Sequence, residues 1–376
     1  MLKRLYTINF VDAFIVGAMT VLVPLLMLDR GIDIATIGIV FAVAPLAKAA
    51  VRLAGAGMAD SLGDKVVYVS FAAFNFFQSL AYMISTTAAG FAAGKLLDGA
   101  RESFLWSANR PSLMAAAPEK KHFAFADLLS GRFAYNAVGS LSVGALFALG
   151  GFELPLAAMV VLSAYIIFSS MKLKNFHKAE ARSKLSDFSP FGRSRKFYEI
   201  AGAFALGSAL YSAVFYMLMP LYFKMRGFSL GEIGIFYAGY FLIIGAALHL
   251  LSRHRIGTGW AATGGAAVYC MGIAGVAFAP HALIPVFFLL MAFGDAGLAI
   301  LWEELNYIGG KESRKRATDL SLLVIPSFFG VIITSALSGA AAAAFGFAPI
   351  FALLAASEIC FGAWCVRLAS MKDGKN

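Results

Sequence analysis

The 376-residue chain is 60% hydrophobic and 14% charged, with a mean hydropathy of +0.78; a soluble domain carries about 25% charged residues, so an ordinary water-soluble fold is excluded. The formal net charge of +10 does not point to nucleic acid, because the basic residues fall in short loops between apolar runs and no recognition motif accompanies them. Cys270, Cys360 and Cys365 all lie within apolar runs, make neither a zinc spacing nor a disulfide framework, and read as small packing residues.

A bilayer span takes about 20 apolar residues. On that length the sequence predicts twelve transmembrane helices, at 7–27, 36–57, 66–87, 90–110, 127–149, 153–171, 198–221, 233–252, 258–279, 281–304, 320–343 and 349–368. The runs are continuous, unlike the roughly 10-residue alternating segments of a barrel. The opening MLKRLYTINFVDAF has a basic flank before an apolar run too long for a signal peptide, so it reads as a retained first helix.

Basic residues mark one side of the membrane: Lys3, Arg4, Lys65, Arg110, Lys120, Lys121, Arg253, Arg255, Lys311, Arg314, Lys315, Arg316, Arg367, Lys372, Lys375 and the eight in 172–196. The other side has Arg30, Lys224 and Arg226. The positive-inside rule places both termini in the cytoplasm of a cell that carries the protein in its inner or plasma membrane. Segment 172–197 is a basic cytoplasmic linker suited to contact with anionic lipid.

An internal repeat divides the chain. VPLLMLDRGIDIATIG (23–38) aligns without gaps to MPLYFKMRGFSLGEIG (219–234) at an offset of 196, matching Pro24 to Pro220, Arg30 to Arg226, Gly31 to Gly227, Ile37 to Ile233 and Gly38 to Gly234. Gly63 and Trp106 likewise meet Gly259 and Trp302. The expected fold is an all-α membrane protein of two pseudo-symmetric six-helix halves, 1–171 and 198–376, with a site between them near the bilayer midplane.

The loop after the second span reads AGMADSLGDKV (56–66). It resembles the G-x-x-x-D-R-x-G-R-K signature of the major facilitator superfamily, and the resemblance covers essentially the whole chain. Asp60, Gly63 and Lys65 match, whereas Ala56, Ser61 and Asp64 depart from the pattern. The resemblance implies that these three matching residues form a conformational latch, with Asp60 against the N terminus of span eleven near Thr318 and Asp319. A carboxylate is stabilised at such a terminus. Lys95 and Gly99 fit the family's Arg-x-x-x-Gly spacing in span four with lysine substituted. Span five, GRFAYNAVGSLSVGALFALGG, lacks the proline that drug antiporters of the family often carry.

Charges at membrane depth cost about 2.5–3.5 kcal/mol each on insertion scales and mark solute or proton pathways. The stretch KLLDGARESFLWSANR (95–110) carries five of them. The first six spans contain Asp12, Lys48, Arg52, Lys95, Asp98, Arg101, Glu102 and Arg132. The last six contain Glu199, Asp295, Glu303, Glu304 and Glu358, with no Lys or Arg apart from Arg367 at the end of the twelfth. Asp98, Arg101 and Glu102 share one helix face, as do Lys48 and Arg52. Asp98 can pair with Arg101, leaving Glu102 to find Arg52, Lys48 or Arg132. The cluster reads either as a brace or as a transport site. Proton-coupling candidates are Asp12, Asp98, Glu102 and Asp295. Substrate-binding candidates are Lys48, Arg52, Arg101, Arg132, Tyr211, Tyr237 and Tyr240.

A cationic first half facing an acidic second half suits an anionic or zwitterionic organic solute. The expected function is secondary active transport by alternating access with protons as coupling ion. The alternatives are a lipid or lysolipid flippase, an uncoupled facilitator, or a drug/proton antiporter. No metalloprotease, nucleophile-elbow or phosphate-loop motif is present, so no enzyme activity, metal or organic cofactor is expected. The expected partners are a small-molecule substrate and membrane lipid, with the chain a monomer.

Overall fold

The computed structural model of the protein describes residues 2–116, 121–175, 189, 191–253, 258–310 and 316–370, and some side chains inside helices, those of Asp60 and Arg110 included, lie outside the described set. Twelve long helices follow in order: α1 (Leu2–Asp29), α2 (Ile34–Leu62), α3 (Asp64–Ile84), α4 (Ala88–Ala116), α5 (Lys121–Gly150), α6 (Glu153–Met171), α7 (Arg195–Met225), α8 (Leu230–Arg253), α9 (Thr258–Phe278), α10 (Ile284–Gly310), α11 (Arg316–Phe345) and α12 (Ala348–Ser370). Each overlaps one expected span, and most run several residues past the apolar stretch at one or both ends. Eleven are long and apolar enough to cross a membrane. The exception, α4, has the length but carries Lys95, Asp98, Arg101 and Glu102 in its middle.

The repeat in the sequence is a repeat of turns. Gly31 and Gly227 both take left-handed backbone, at φ 76° and 90°. The amides of Ile32 and Phe228 reach back five residues to Met27 and Phe223 carbonyls, which closes the orphan acceptors of the helix end. The next helix then starts on a side-chain cap. Asp33 accepts from the Thr36 amide at 2.9 Å, and the hydrogen bonds from Thr36 hold its carboxyl below the usual carboxylate range. Ser229 and Glu232 form a reciprocal pair, Ser229 N–H donating to Glu232 at 2.7 Å and Glu232 N–H to Ser229 Oγ at 3.2 Å, the arrangement of a capping box.

Among the first six helices, α1 packs on α5 and α6, α2 on α4, and α3 on α4 and α6; among the last six, α7 packs on α11 and α12, α9 on α10 and α12, and α8 on α10. Between the groups, smaller contacts run from α1 to α7 and α8 and from α4 to α11, and the two most extensive are α2 along α11 and α5 along α8. Both are closest where side chains vanish. A Cβ on Gly38 would lie 2.7 Å from the Ser335 carbonyl oxygen, and one on Gly234 2.6 Å from that of Ser140. Gly38 and Gly234 are partners in the sequence repeat, and each seats on a Ser-x-x-x-Gly stretch, 335–339 in α11 and 140–144 in α5. Both joins lie at the end of the bundle opposite the chain termini. Close backbone approach of this kind is how helices associate where lipid removes the hydrophobic drive.

Gly99 sets the α2–α4 contact, since a Cβ there would run into the Ala44 carbonyl oxygen, whereas Gly264 faces open space. Gly99→Ala is therefore expected to cost about 1–3 kcal/mol, and Gly264→Ala nothing measurable. Thermal unfolding of the two purified variants side by side checks this.

Candidate substrate cavity

A cavity of about 460 Å³ lies between the two helix groups, within the range of about 300–1,000 Å³ typical of small-molecule sites. The first six helices contribute Lys48, Arg52, Lys95, Asp98, Arg101, Glu102, Trp106 and Arg132 to its wall; the last six contribute Tyr211, Tyr216, Asp295, Trp302, Glu303 and Glu358, with no lysine or arginine among the described residues.

The first wall is backed by a closed ionic network. Asp12 is wholly buried, and each of its carboxylate oxygens meets a guanidinium, Arg101 at 2.5 Å and Arg132 at 2.8 Å. Asn75 donates to it as well, at 2.9 Å. Arg101 continues to Asp98 at 3.0 Å, and Asp98 to Lys95 at 3.5 Å. The Lys95 ammonium sits 3.9 Å over the Phe41 ring, where the ring's negative face adds a cation–π contact. Arg132 also donates to the side chain and carbonyl of Asn9, at 2.9 and 3.0 Å. Asn9 in turn exchanges hydrogen bonds with Asn109. Nearer the open cavity, Lys48 pairs with Glu102 at 2.6 Å, the Glu102 side chain being 35% exposed.

The second wall is built differently. Asp295, on α10, accepts hydrogen bonds from Tyr211 at 2.8 Å and Tyr240 at 2.7 Å. Glu358, on α12, is 3% exposed, and its Oε1 makes no hydrogen bond among the described residues. A π turn in α7 (Val214–Leu218) widens the helix just before Pro220. Five residues span nearly one and a half turns of an α-helix, but the wider turn brings Tyr211 and Tyr216 to one side, their rings edge to face at 6.4 Å, and both line the cavity.

Most of the site residues expected from sequence meet here. Asp98, Glu102, Asp295, Lys48, Arg52, Arg101, Arg132 and Tyr211 line the cavity. Asp12 sits one layer behind, and Tyr240 reaches the wall only through Asp295. Tyr237 does not reach it: the side chain is fully buried, its hydroxyl donates to the Phe215 carbonyl at 2.6 Å, and its ring packs on Phe288. Of the latch residues, the Asp60 side chain lies outside the described residues. Gly63 takes φ 89°, and the Lys65 amide donates to Asn175 at 3.0 Å. Asp319, near which Asp60 was expected, pairs with Arg193 at 2.7 Å. The network also uses Asn9, Asn75 and Asn109, which the residue pattern gave no reason to select, and the second wall adds Glu358, visible only as a charge within a span.

Removing one partner of a buried ion pair strands the other. Asp12→Asn is expected to destabilise the protein by about 3–5 kcal/mol, because two guanidiniums lose their carboxylate, while Glu102→Gln, at a partly exposed pair, costs under about 1 kcal/mol. Melting temperatures of the two variants in one detergent compare them directly.

Solved structures share this architecture at low sequence identity. The human organic anion transporter TETRAN matches with a TM-score of 0.74 at 14% identity, over 96% of this chain and 99% of that one. The nucleoside transporter NupG gives 0.72 at 15%, over 97% and 99%. A bacterial homologue of the iron transporter ferroportin, in an outward-facing state with soaked iron, gives 0.66 at 16%, over 98% and 99%. No curated relative matches the sequence. The Major Facilitator Superfamily model matches residues 5–304, and with that span, the membrane-crossing helices and the shared fold, the chain belongs to the Major Facilitator Superfamily as a multi-pass membrane protein.

Proposed function

We propose that this protein is a secondary transporter that moves a small anionic or zwitterionic organic solute across the membrane by alternating access, coupled to protons. The observation that carries the reading is the cavity itself, whose charged lining among the described residues is an excess of cations from the first six helices and carboxylates from the last six. Matched turns after α1 and α7, and matched glycine joins at α2–α11 and α5–α8, support two six-helix halves that rock about a central site. The glycine joins close the end opposite the termini, so the cavity opens towards the termini. The basic residues near that end favour the cytoplasmic side for both termini, in an inner or plasma membrane.

Proton coupling is assigned to the second wall. Asp12 has both oxygens committed to guanidiniums, and Asp98 lies between Arg101 and Lys95. Asp295 has hydroxyl partners and, among the described residues, no cation at ion-pair distance. A carboxylate so placed can gain and lose a proton without dismantling a brace.

Uptake of a metabolite mixture into proteoliposomes, with and without an imposed pH gradient, tests this. Gradient-driven accumulation of an organic acid or zwitterion is expected. Asp295→Asn should abolish the gradient-driven accumulation, while exchange at equal pH, measured at saturating solute, persists. Uptake indifferent to the gradient in both proteins sinks proton coupling and favours an uncoupled facilitator; movement of lysolipid alone favours a flippase.

A further inference from the structure

The two walls treat their carboxylates in opposite ways. Asp12, Asp98 and Glu102 each meet a lysine or arginine. Asp295 and Glu358 are 8% and 3% exposed and line the same cavity, yet among the described residues neither has a cation within ion-pair distance. Among the described residues Glu358 Oε1 has no hydrogen-bond donor, and the buried Tyr269 hydroxyl has no partner. The ring of Tyr211, which holds Asp295, lies 6.5 Å from that of Tyr269.

We propose that the second wall is an amine-recognition subsite: a protonated primary or secondary amine of the solute seats between Glu358 and Asp295 beneath the tyrosine rings. This rests on the transporter reading above and narrows its solute to one that carries an ammonium group. An ammonium supplies what the wall lacks, namely positive charge and several N–H donors for a carboxylate oxygen without one. A charge-assisted bond in a site shielded from water is stronger than a neutral one. A divalent metal fits poorly. Calcium takes about 6–8 oxygen ligands, and among the described residues no group of three or more His, Cys, Asp or Glu is placed to hold an ion. The excess of cations on the first wall receives the solute's anionic end, so the cavity reads a dipolar molecule by both ends.

The test is equilibrium binding to the full-length protein in nanodiscs, followed by fluorescence of Trp106 and Trp302, which line the cavity. The probes are ε-aminocaproate and caproate, which differ by one terminal amine. The amine-bearing probe is expected to bind at least about tenfold more tightly. Glu358→Gln and, separately, Asp295→Asn should each erase that advantage, so that the two probes bind with equal affinity; either variant, judged folded by its elution profile, suffices. Equal binding of the two probes, no binding of ε-aminocaproate, or an advantage that survives in both variants overturns the proposal. The readout is binding and not flux: a protein that shows the amine preference but moves no solute in proteoliposomes contradicts the transporter reading and leaves the subsite standing.

Discussion

Each oxygen of the Asp12 carboxylate faces one guanidinium, Arg101 from α4 and Arg132 from α5, and this three-helix joint is what the first six helices are arranged to protect. Charges buried this far into an apolar bundle are tolerated when the geometry is good and the remaining donors and acceptors are met. Here the surplus donors of Arg132 go to Asn9, and those of Arg101 go to Asp98. Asn75, Asn109 and Ser163 complete the shell. The joint ties α1, α3, α4 and α5 together at one level. It also explains why α4 can be a membrane helix with four charges in its middle, because most of the charge is neutralised before the helix meets lipid.

The last six helices solve the same problem with neutral groups. Their core is an aromatic cluster in which Phe215 touches Tyr237, Tyr240, Phe241 and Phe288, and their polar contacts to the cavity run through tyrosine hydroxyls. A cavity set between an ionic brace and an aromatic block has one wall whose carboxylates each meet a lysine or arginine and another where, among the described residues, Asp295 and Glu358 do not. That difference in wiring gives the site its polarity and directs attention to Asp295 and Glu358.

Much of the fold was legible because membrane spans declare themselves by length and apolarity, quantities that do not depend on neighbours. The repeat at 23–38 and 219–234 was legible for a related reason: Gly31, Gly227, Asp33 and Ser229 hold conformations and caps that a turn dictates locally. The Asp98–Arg101 pair followed from helical spacing. Glu102 had three possible partners on paper and took Lys48, since only the rotation of α2 against α4 decides among them. Asp12 was visible as a buried acid, but its partners lie 89 and 120 residues away, and no periodicity connects them. Tyr237 and Tyr240 share a face of α8 by spacing; their small difference in rotation and depth sends one hydroxyl to a main-chain carbonyl and the other to Asp295.

The joins at Gly38 and Gly234 are made of main chain, with carbonyl oxygens of Ser335 and Ser140 where side chains would otherwise interlock. At Gly38 and Gly234 the closest approach is main chain to main chain, with no ion pair among the described residues. Parting this seal would uncover carbonyl oxygens that water can solvate at once, and closing it again requires only that two smooth surfaces meet in register. The barrier at that end of the protein is consequently steric and hydrational, a zipper with small teeth, and its tightness depends on the absence of a methyl group at a few positions.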